Sequence, residues 1–326
     1  MLTRRRVIAA LGIGIVGATA LAEAREMPSY DDPDDLYAAL RNQPGERIIL
    51  PGGEITLVFA DAAPRLDRGL VRDWVRQGTD AVTRYFGRFP VKHYGLLVIA
   101  DDGDTVGHGT TYGYAGSATR IHVGRSTSQS AFARDWVLTH EMLHAALPDL
   151  PRRALWLQEG NATYLEPVAR ARAGYLSAEE VWRQSLAGMP RGEPRPGDRG
   201  MDGTKSWARL YWGGATFWLR AEIDIARASG GRRSLQDAMR AISRQSGGNS
   251  ADWTAEQMMA AGDAATGTNA LSQLYARFAG ERITTDLHAL FVSLGVADRD
   301  GQVVFDDAAP FAALRRDLTS RARRPT

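Results

Sequence analysis

The segment 140–159 constrains the fold more than any other part of the chain. It begins as HEMLH at 140–144 and is then interrupted by two prolines. The second motif, WLQEGNATYLE, follows at 156–166. His140 and His144 lie four residues apart, so on a helix both imidazoles leave one face and can bind one metal ion. A zinc ion held by two imidazoles needs a third protein ligand, and Glu159 on a second helix is the candidate. Gly160 would let that second helix approach the first closely, because no side chain separates the backbones there.

Glu141 completes an H-E-x-x-H motif. Such a string should arise by chance in well under roughly 1% of chains with this composition. The alternative interpretation is a pair of core histidines beside a solvated glutamate on an amphipathic helix. The Glu-Gly pair downstream favours the metal site over this alternative.

The residues of the motif divide the work of hydrolysis between them. A zinc ion on His140, His144 and Glu159 leaves one position for water and lowers the pKa of that water towards about 7. Glu141 is placed to take the proton from this water and pass it to a leaving amine. This arrangement fits hydrolysis of a peptide bond. The developing oxyanion also needs a hydrogen-bond donor, for which tyrosine is a common choice.

Residues 1–24 predict an export signal rather than part of the fold. They contain a basic start, an apolar run over 7–22 and small-residue cleavage patterns. The arginines at positions 4–6 resemble a twin-arginine signal, and a plain secretory signal is the alternative. The apolar run is short for a membrane span, so cleavage and a periplasmic or secreted location are expected.

The composition limits the partners of the exported chain. Removing residues 1–24 deletes three arginines and one glutamate, which leaves 37 basic and 37 acidic residues. A near-neutral chain lacks the electrostatic signature of nucleic-acid binding, despite a sequence pI near 9.0. There is no cysteine, so a metal must be held by nitrogen and oxygen. We expect a peptide or protein substrate and no stable membrane span; the oligomeric state stays open.

The front half of the chain predicts a mixture of strands and helices. Apolar residues at helical spacing predict an amphipathic helix over 66–86, and a glycine-rich loop is expected over 103–116. Apolar runs and alternation predict strands at 47–50, 54–60, 94–100 and 118–124. If strand 118–124 lies at the sheet edge beside the metal, its free backbone groups could hold an extended peptide. His108 and His122 are interpreted as surface or loop histidines.

Two helices are expected to carry the metal ligands. The first begins near Ser128 or Ser130, either of which can cap it, and ends at Leu147 before a proline. Its expected core face comprises Phe132, Trp136, Leu143 and Leu147. The second begins near Pro151 and is halted by Pro167. The Gly/Pro-rich segment 187–204 is expected to be a long loop, either a lid or a disordered insertion.

The back half of the chain predicts helices almost throughout. A helix over 206–228 is closed by Gly230, and Ser234 with Asp237 forms a capping box for the next helix. Further elements are expected as helices near 254–261, 269–279, 285–294 and 309–323 and a small strand at 302–305. The fold class is therefore α+β, with a mixed front half and a helical back half.

The motifs resemble those of the gluzincin metallopeptidases, and most closely the aminopeptidase-N and glycyl-aminopeptidase branches. The resemblance is carried by HEMLH, by WLQEGNATY and by LYWGGA at the head of a later helix. It implies a thermolysin-like catalytic domain, zinc on His140, His144 and Glu159, Glu141 as general base and Tyr211 as oxyanion stabiliser. The alternative for Tyr211 is a tyrosine packed beside its neighbouring tryptophans, and Tyr164 is interpreted as a core residue.

The expected domain order combines this resemblance with the patterns described above. It comprises a signal over 1–24, a β-rich lead-in over 25–65, the catalytic domain over 66–250 and a helical region over 251–326. Aminopeptidase N also has a G-x-M-E-N segment whose Glu holds the substrate's amino terminus, whereas this chain reads YGYAGSATRIHVG there. The choice between endopeptidase and aminopeptidase is therefore open. The alternative functions are a catalytically silent exported binding or scaffold protein and a zinc hydrolase of a non-peptide bond.

Overall fold

A computed structural model describes residues 30–320, so the predicted export signal lies outside the described residues. Within that range no helix is both long and apolar enough to cross a membrane. The predicted α+β class is confirmed: a five-stranded sheet lies near the start of the described chain, and helices form most of the remainder.

The sheet combines parallel and antiparallel pairs. Its strands are β1 (Gly45–Leu50), β2 (Gly53–Phe59), β3 (His93–Asp101), β4 (Val106–Tyr112) and β5 (Ala118–Gly124). The order across the sheet is β1-β2-β3-β5-β4. β3 pairs in parallel with β2 and β5, whereas the two outer pairs are antiparallel. The four strands predicted from the sequence are confirmed.

The edge of the sheet differs from the prediction. Residues 103–116 were expected to form a loop, but β4 occupies half of this segment and forms the edge. β5, for which an edge position was the condition for binding an extended peptide, is paired on both sides. The glycines favoured the loop interpretation, but Gly109 has a packing reason: a Cβ there would lie 2.6 Å from Cγ of Glu141.

Helices cover both faces of the sheet. α1 (Pro33–Asn42) lies on one face, where Leu36 and Ala39 join a small cluster with Leu97 of β3. α2 (Arg68–Phe86) lies on the other face and contributes to the main core. It is the helix predicted over 66–86, and Asp67 caps it by accepting from two backbone N–H groups.

The predicted metal helix is broken into two. α3 (Gln129–Arg134) is capped by Ser128, and α4 (Val137–His144) begins after a break. Asp135 causes the break, because its carboxylate accepts hydrogen bonds from the backbone N–H groups of the first turn of α4. The prediction for Trp136 was wrong, since this side chain lies at the break and is 49% exposed. Phe132, Leu143 and Leu147 are buried as expected.

The second ligand-bearing helix does not stop at its proline. α5 (Leu155–Ala173) continues through Pro167 to a left-handed Gly174. A proline inside a helix removes a hydrogen bond and costs about 3 kcal/mol or more. The last two turns bury Val168, Ala169 and Ala171 in the core, and this burial offsets the cost.

The rest of the described chain is helical apart from one hairpin. The helices are α6 (Ala178–Gly188), α7 (Gly214–Ser229), α8 (Leu235–Ser246), α9 (Ala255–Thr266), α10 (Ala270–Gly280), α11 (Leu287–Leu294) and α12 (Ala312–Thr319). The hairpin pairs β6 (Val296–Arg299) with β7 (Gln302–Phe305). The predicted closure of α7 at Gly230 and the Ser234–Asp237 capping box of α8 are both confirmed.

The segment 187–204 is packed against its neighbours rather than disordered. It contains two short 3₁₀ turns, Met189–Gly192 and Met201–Gly203. Glu193 accepts a hydrogen bond from the backbone N–H of Thr285 at 2.9 Å. Gly200 lies against the backbone at the end of α10, where an added Cβ would be 2.1 Å from a carbonyl oxygen.

Candidate metal centre and its surroundings

Two histidines and a glutamate converge between α4 and α5. His140 and His144 project from the same side of α4, with ring centroids 4.8 Å apart. Oε2 of Glu159 on α5 lies 3.2 Å from Nε2 of His140 and 3.6 Å from Nε2 of His144. The structure thus brings together the three side chains that the sequence nominates as ligands.

Burial and mutual charge set the protonation of this cluster. Burial lowers the pKa of His140, which keeps its imidazole neutral. Burial alone would also lower the pKa of His144, but hydrogen bonding to Glu159 and the glutamate charges raise it. Burial would raise the pKa of Glu159, but its hydrogen bonds to both histidines hold that pKa well below its usual value. A cation binding here would therefore meet an ionised carboxylate and would compete with protons for His144.

The donor set fits zinc. Two imidazole nitrogens and one carboxylate oxygen converge, and zinc accepts this combination of ligands. Donor atoms of His140, Glu141 and His144 also lie within 4.8 Å of one another. Nε2 of His140 faces the cluster, since it lies 3.2 Å from Oε2 of Glu159, and Nδ1 is buried without a hydrogen-bond partner among the described residues.

The edge strand of the sheet holds the side chain of Glu141 in position. Its side chain is 8% exposed, and Oε2 accepts a hydrogen bond of 2.7 Å from the hydroxyl of Thr111 on β4. Gly109 on the same strand leaves room for the carboxylate, as described above. Neither contact was predicted from the sequence, because this strand was interpreted as a loop; Val106, Thr110, Thr111 and Tyr112 were the signal for a strand.

A chain of hydroxyl groups supports this hydrogen bond. The Thr111 hydroxyl lies 2.6 Å from that of Thr119, which in turn contacts the hydroxyl of the buried Tyr94. A carboxylate only accepts, so Thr111 donates to Glu141 and must accept from Thr119, which accepts from Tyr94. Thr111 is thus a positioning residue for Glu141.

Replacing Thr111 with valine should test this role. The variant keeps the shape of the side chain and removes a charge-assisted hydrogen bond, so we expect kcat for the peptide hydrolysis that the motifs predict to fall about tenfold with KM nearly unchanged. Thr111→Ser restores the hydroxyl and should recover most of the loss. Equal losses in the serine and valine variants would contradict a role for the hydroxyl.

Tyr211 lies over the first histidine of the motif. Its ring stacks on that of His140 with centroids 5.6 Å apart and an interplanar angle of 6°. Burial, followed by the charge of Glu159, raises the pKa of Tyr211 above its usual value, so the phenol keeps its proton. The residue lies in a π-helical turn, Arg209–Gly213, where the sequence predicted regular helix; such turns are frequent at functional sites.

Gly160 serves a different contact from the one predicted. It lies against Gly214 at the start of α7, where an added Cβ would be 2.3 Å from the Gly214 backbone. The two glycines therefore bring α5 close to α7, the helix that follows Tyr211, rather than to α4. Their contact sets the separation between the helix of Glu159 and the turn of Tyr211.

Gly160→Ala should measurably destabilise the fold. The added methyl overlaps backbone atoms that cannot rotate away, so we expect the free energy of unfolding to fall by about 1–3 kcal/mol or more in urea denaturation. Gly280→Ala is the control, because a Cβ there meets no atom of the described residues within 4 Å. A Gly160→Ala protein as stable as this control would show that the helices separate easily.

The remaining candidates lie outside the cluster. His108 and His122 stack on each other on β4 and β5, and Nδ1 of His122 lies 2.7 Å from Oδ2 of Asp101. Tyr164 is buried in the core.

A cavity of about 680 Å³ opens beside His140 and Tyr211 and is lined by three tryptophans. It was not predicted from the sequence, because no local pattern distinguishes an exposed tryptophan from a core one.

Comparisons with known proteins support the fold. The chain matches no sequence-family model and no curated protein. An aminopeptidase N family protein from Idiomarina loihiensis matches with a TM-score of 0.57 and 15% identity, over 78% of this chain and 49% of that chain. A variant of an M1 zinc metallopeptidase from Deinococcus radiodurans matches with a TM-score of 0.50 and 15% identity, over 75% of this chain and 53% of that chain.

The matched structures are longer than this chain. The chain spans about half the length of the structures it matches. At this identity the likeness establishes the fold, which is that of M1 zinc metallopeptidases. The resemblance to the gluzincin fold, recognised from the motifs, is confirmed at that level.

Proposed function

We propose that this chain, which has the fold of M1 zinc metallopeptidases, is an exported zinc-dependent peptidase. One observation carries the proposal: Glu159 lies within 3.2 and 3.6 Å of Nε2 of His140 and His144, beside Glu141. A binding protein needs neither a converging ligand set nor an adjacent base held by its own hydrogen bonds. Export rests on the sequence of residues 1–24.

The chain's own residues suit peptide hydrolysis. Zinc bound to His140, His144 and Glu159 would polarise the substrate carbonyl and lower the pKa of a water molecule. Glu141, oriented by Thr111, would accept a proton from the attacking water and deliver it to the departing amine. Tyr211 keeps its proton and would donate a hydrogen bond to the oxygen that gains negative charge.

The edge strand supplies a place for the substrate backbone. Among residues 30–320, β4 is paired with β5 along one side only, and Thr111 of β4 reaches Glu141. An extended peptide added along the outer side would therefore pass the motif helix. β4 contains no acidic residue to hold a free amino terminus, which supports substrates that continue on both sides of the scissile bond.

The test combines metal analysis with a peptide library. We expect about one zinc per chain by elemental analysis, cleavage of library peptides by mass spectrometry, loss of both on chelation and recovery with zinc. Peptides with free and acetylated amino termini should be cleaved alike if no amino-terminal anchor exists. A zinc-loaded protein that cleaves no peptide would overturn the proposal. Binding of a partner without turnover would then favour the catalytically silent protein, and ester cleavage alone would favour a non-peptide hydrolase.

A further inference from the structure

The cavity beside His140 has a lining of tryptophans and arginines. We call it the Trp–Arg pocket and define it by Trp136, Trp207, Trp212, Arg134, Arg183 and Arg191. It has a volume of about 680 Å³ and is open to solvent. His140 and Tyr211 also line it, so whatever occupies it lies next to the candidate reaction centre.

The tryptophans leave apolar surface exposed at this pocket. Trp136 and Trp207 are 49% and 67% exposed. Trp136 packs edge-on against His140 at 5.3 Å, and Trp207 lies 5.9 Å from Tyr211 between ring centroids. Exposed indoles grouped around a cavity indicate a site for an apolar group, and a flat aromatic ring gains most from stacking or edge contacts with them.

The ring of Trp212 packs against the end of α6. Gly188 leaves room for its ring, since a Cβ there would lie 2.3 Å from the indole. This part of the pocket is therefore preformed by the packing of α6 against the π-helical turn, and binding an aromatic group need not reorganise it.

The charged side chains make the pocket positive. Arg183 is neutralised by two hydrogen bonds to Glu180, at 2.7 and 2.6 Å. Arg134 and Arg191 are exposed and make no ion pair within residues 30–320. The acid in the lining is Glu166, which is buried and bonded to Arg170 at 2.7 Å. Two arginines therefore remain to bind a carboxylate.

We propose that the Trp–Arg pocket selects substrates with an aromatic residue next to the scissile bond and a carboxylate on the same side of that bond. The carboxylate would come either from the substrate's own C-terminus or from an acidic side chain. This inference deepens the proposed peptidase function, and its catalytic part rests on that function. The pocket's affinity for an aromatic carboxylate can be measured without turnover.

A binding experiment on the full chain tests the pocket independently of catalysis. The probes are N-acetyl-tryptophan, its amide and N-acetyl-alanine, measured by calorimetry. We expect N-acetyl-tryptophan to bind about tenfold more tightly than either of the others. Raising the salt concentration from about 0.05 M to about 0.5 M should shrink its advantage over the amide, because screening weakens the arginine contacts. Equal affinity for the acid and the amide would overturn the inference.

Variants assign the effect to named residues. Arg134→Ala/Arg191→Ala should remove most of the preference for the acid, whereas Arg41→Ala, an exposed arginine on α1, should not. Trp207→Ala should weaken binding of the aromatic ring several-fold, and Trp207→Phe should retain most of it. An unchanged acid preference in the double arginine variant would refute the assignment.

A cleavage experiment tests the substrate class and distinguishes the two sources of the carboxylate. Matched peptides carry Trp, Leu or Ala beside the bond, with either a free C-terminus or an amidated C-terminus following Asp. We expect kcat/KM to be about tenfold higher for Trp peptides that carry either carboxylate than for amidated peptides without Asp. Cleavage without this preference overturns only the present inference, whereas a protein that binds N-acetyl-tryptophan but cleaves nothing overturns only the proposed function.

Discussion

Replacing Glu141 with glutamine is expected to reduce kcat/KM for peptide hydrolysis by roughly 10²–10⁴-fold. The amide cannot accept a proton from water, but its carbonyl oxygen can still accept the hydrogen bond that Thr111 donates at 2.7 Å. The loss should therefore reflect chemistry rather than geometry. Hydrolysis by the purified variant, with zinc content measured on the same sample, checks this prediction.

Glu281→Gln is the matched control for Glu141→Gln. Glu281 is exposed and lies after α10, outside the candidate site, so the same change of charge should leave activity and zinc content unaltered. A Glu141→Gln protein with near-normal turnover would exclude Glu141 as the base. A variant that lost its zinc as well would leave the base untested, so stoichiometric metal is part of the expected result.

Replacing Glu159 with glutamine is expected to weaken zinc binding by at least about 100-fold and to abolish hydrolysis with it. The amide keeps the size of the side chain, but it removes the negative charge that faces both imidazoles at 3.2 and 3.6 Å. Competition with a chelator measures the affinity, and elemental analysis measures the occupancy.

The outcome of the Glu159 experiment separates two roles for this residue. Glu281→Gln again serves as the control and should bind zinc like the unaltered chain. Full zinc affinity in Glu159→Gln would mean that the glutamate only holds the two histidines in position. Glu141 also lies near both histidines, so the double replacement Glu141→Gln/Glu159→Gln would then show whether it supplies the third ligand.

The residues of the candidate metal cluster could be predicted from the sequence. The four-residue spacing of His140 and His144 places both on one side of a helix, and this holds in the structure even though the helix is only eight residues long. Glu159 was predicted as the third ligand from the WLQEGNATYLE motif that follows, and its carboxylate lies beside both imidazoles in the structure. Tyr211 was nominated from a segment resemblance, and its ring lies on His140.

The errors have two physical origins. The glycines of β4 suggested a loop, but Gly109 is there because Glu141 packs against it. Trp136 was assigned to the core by helical spacing, but Asp135 interrupts the helix and leaves this ring beside a cavity. Pro167 was expected to end a helix that core packing sustains. At Gly109 and Pro167 a contact between distant parts of the chain outweighed a local preference, whereas at Asp135 a side chain competed with the helix for neighbouring backbone N–H groups.

The sequence by itself determined the chemical identity of the candidate site, because the spacing of ligands on a helix and the caps of helices are properties of neighbouring residues. It also determined the α+β class through its periodic patterns. Only the tertiary structure decided which strand forms the edge and which two helices Gly160 brings together. It also decided that three tryptophans and three arginines surround one cavity. Those features depend on residues that lie tens of positions apart and meet only when the chain folds.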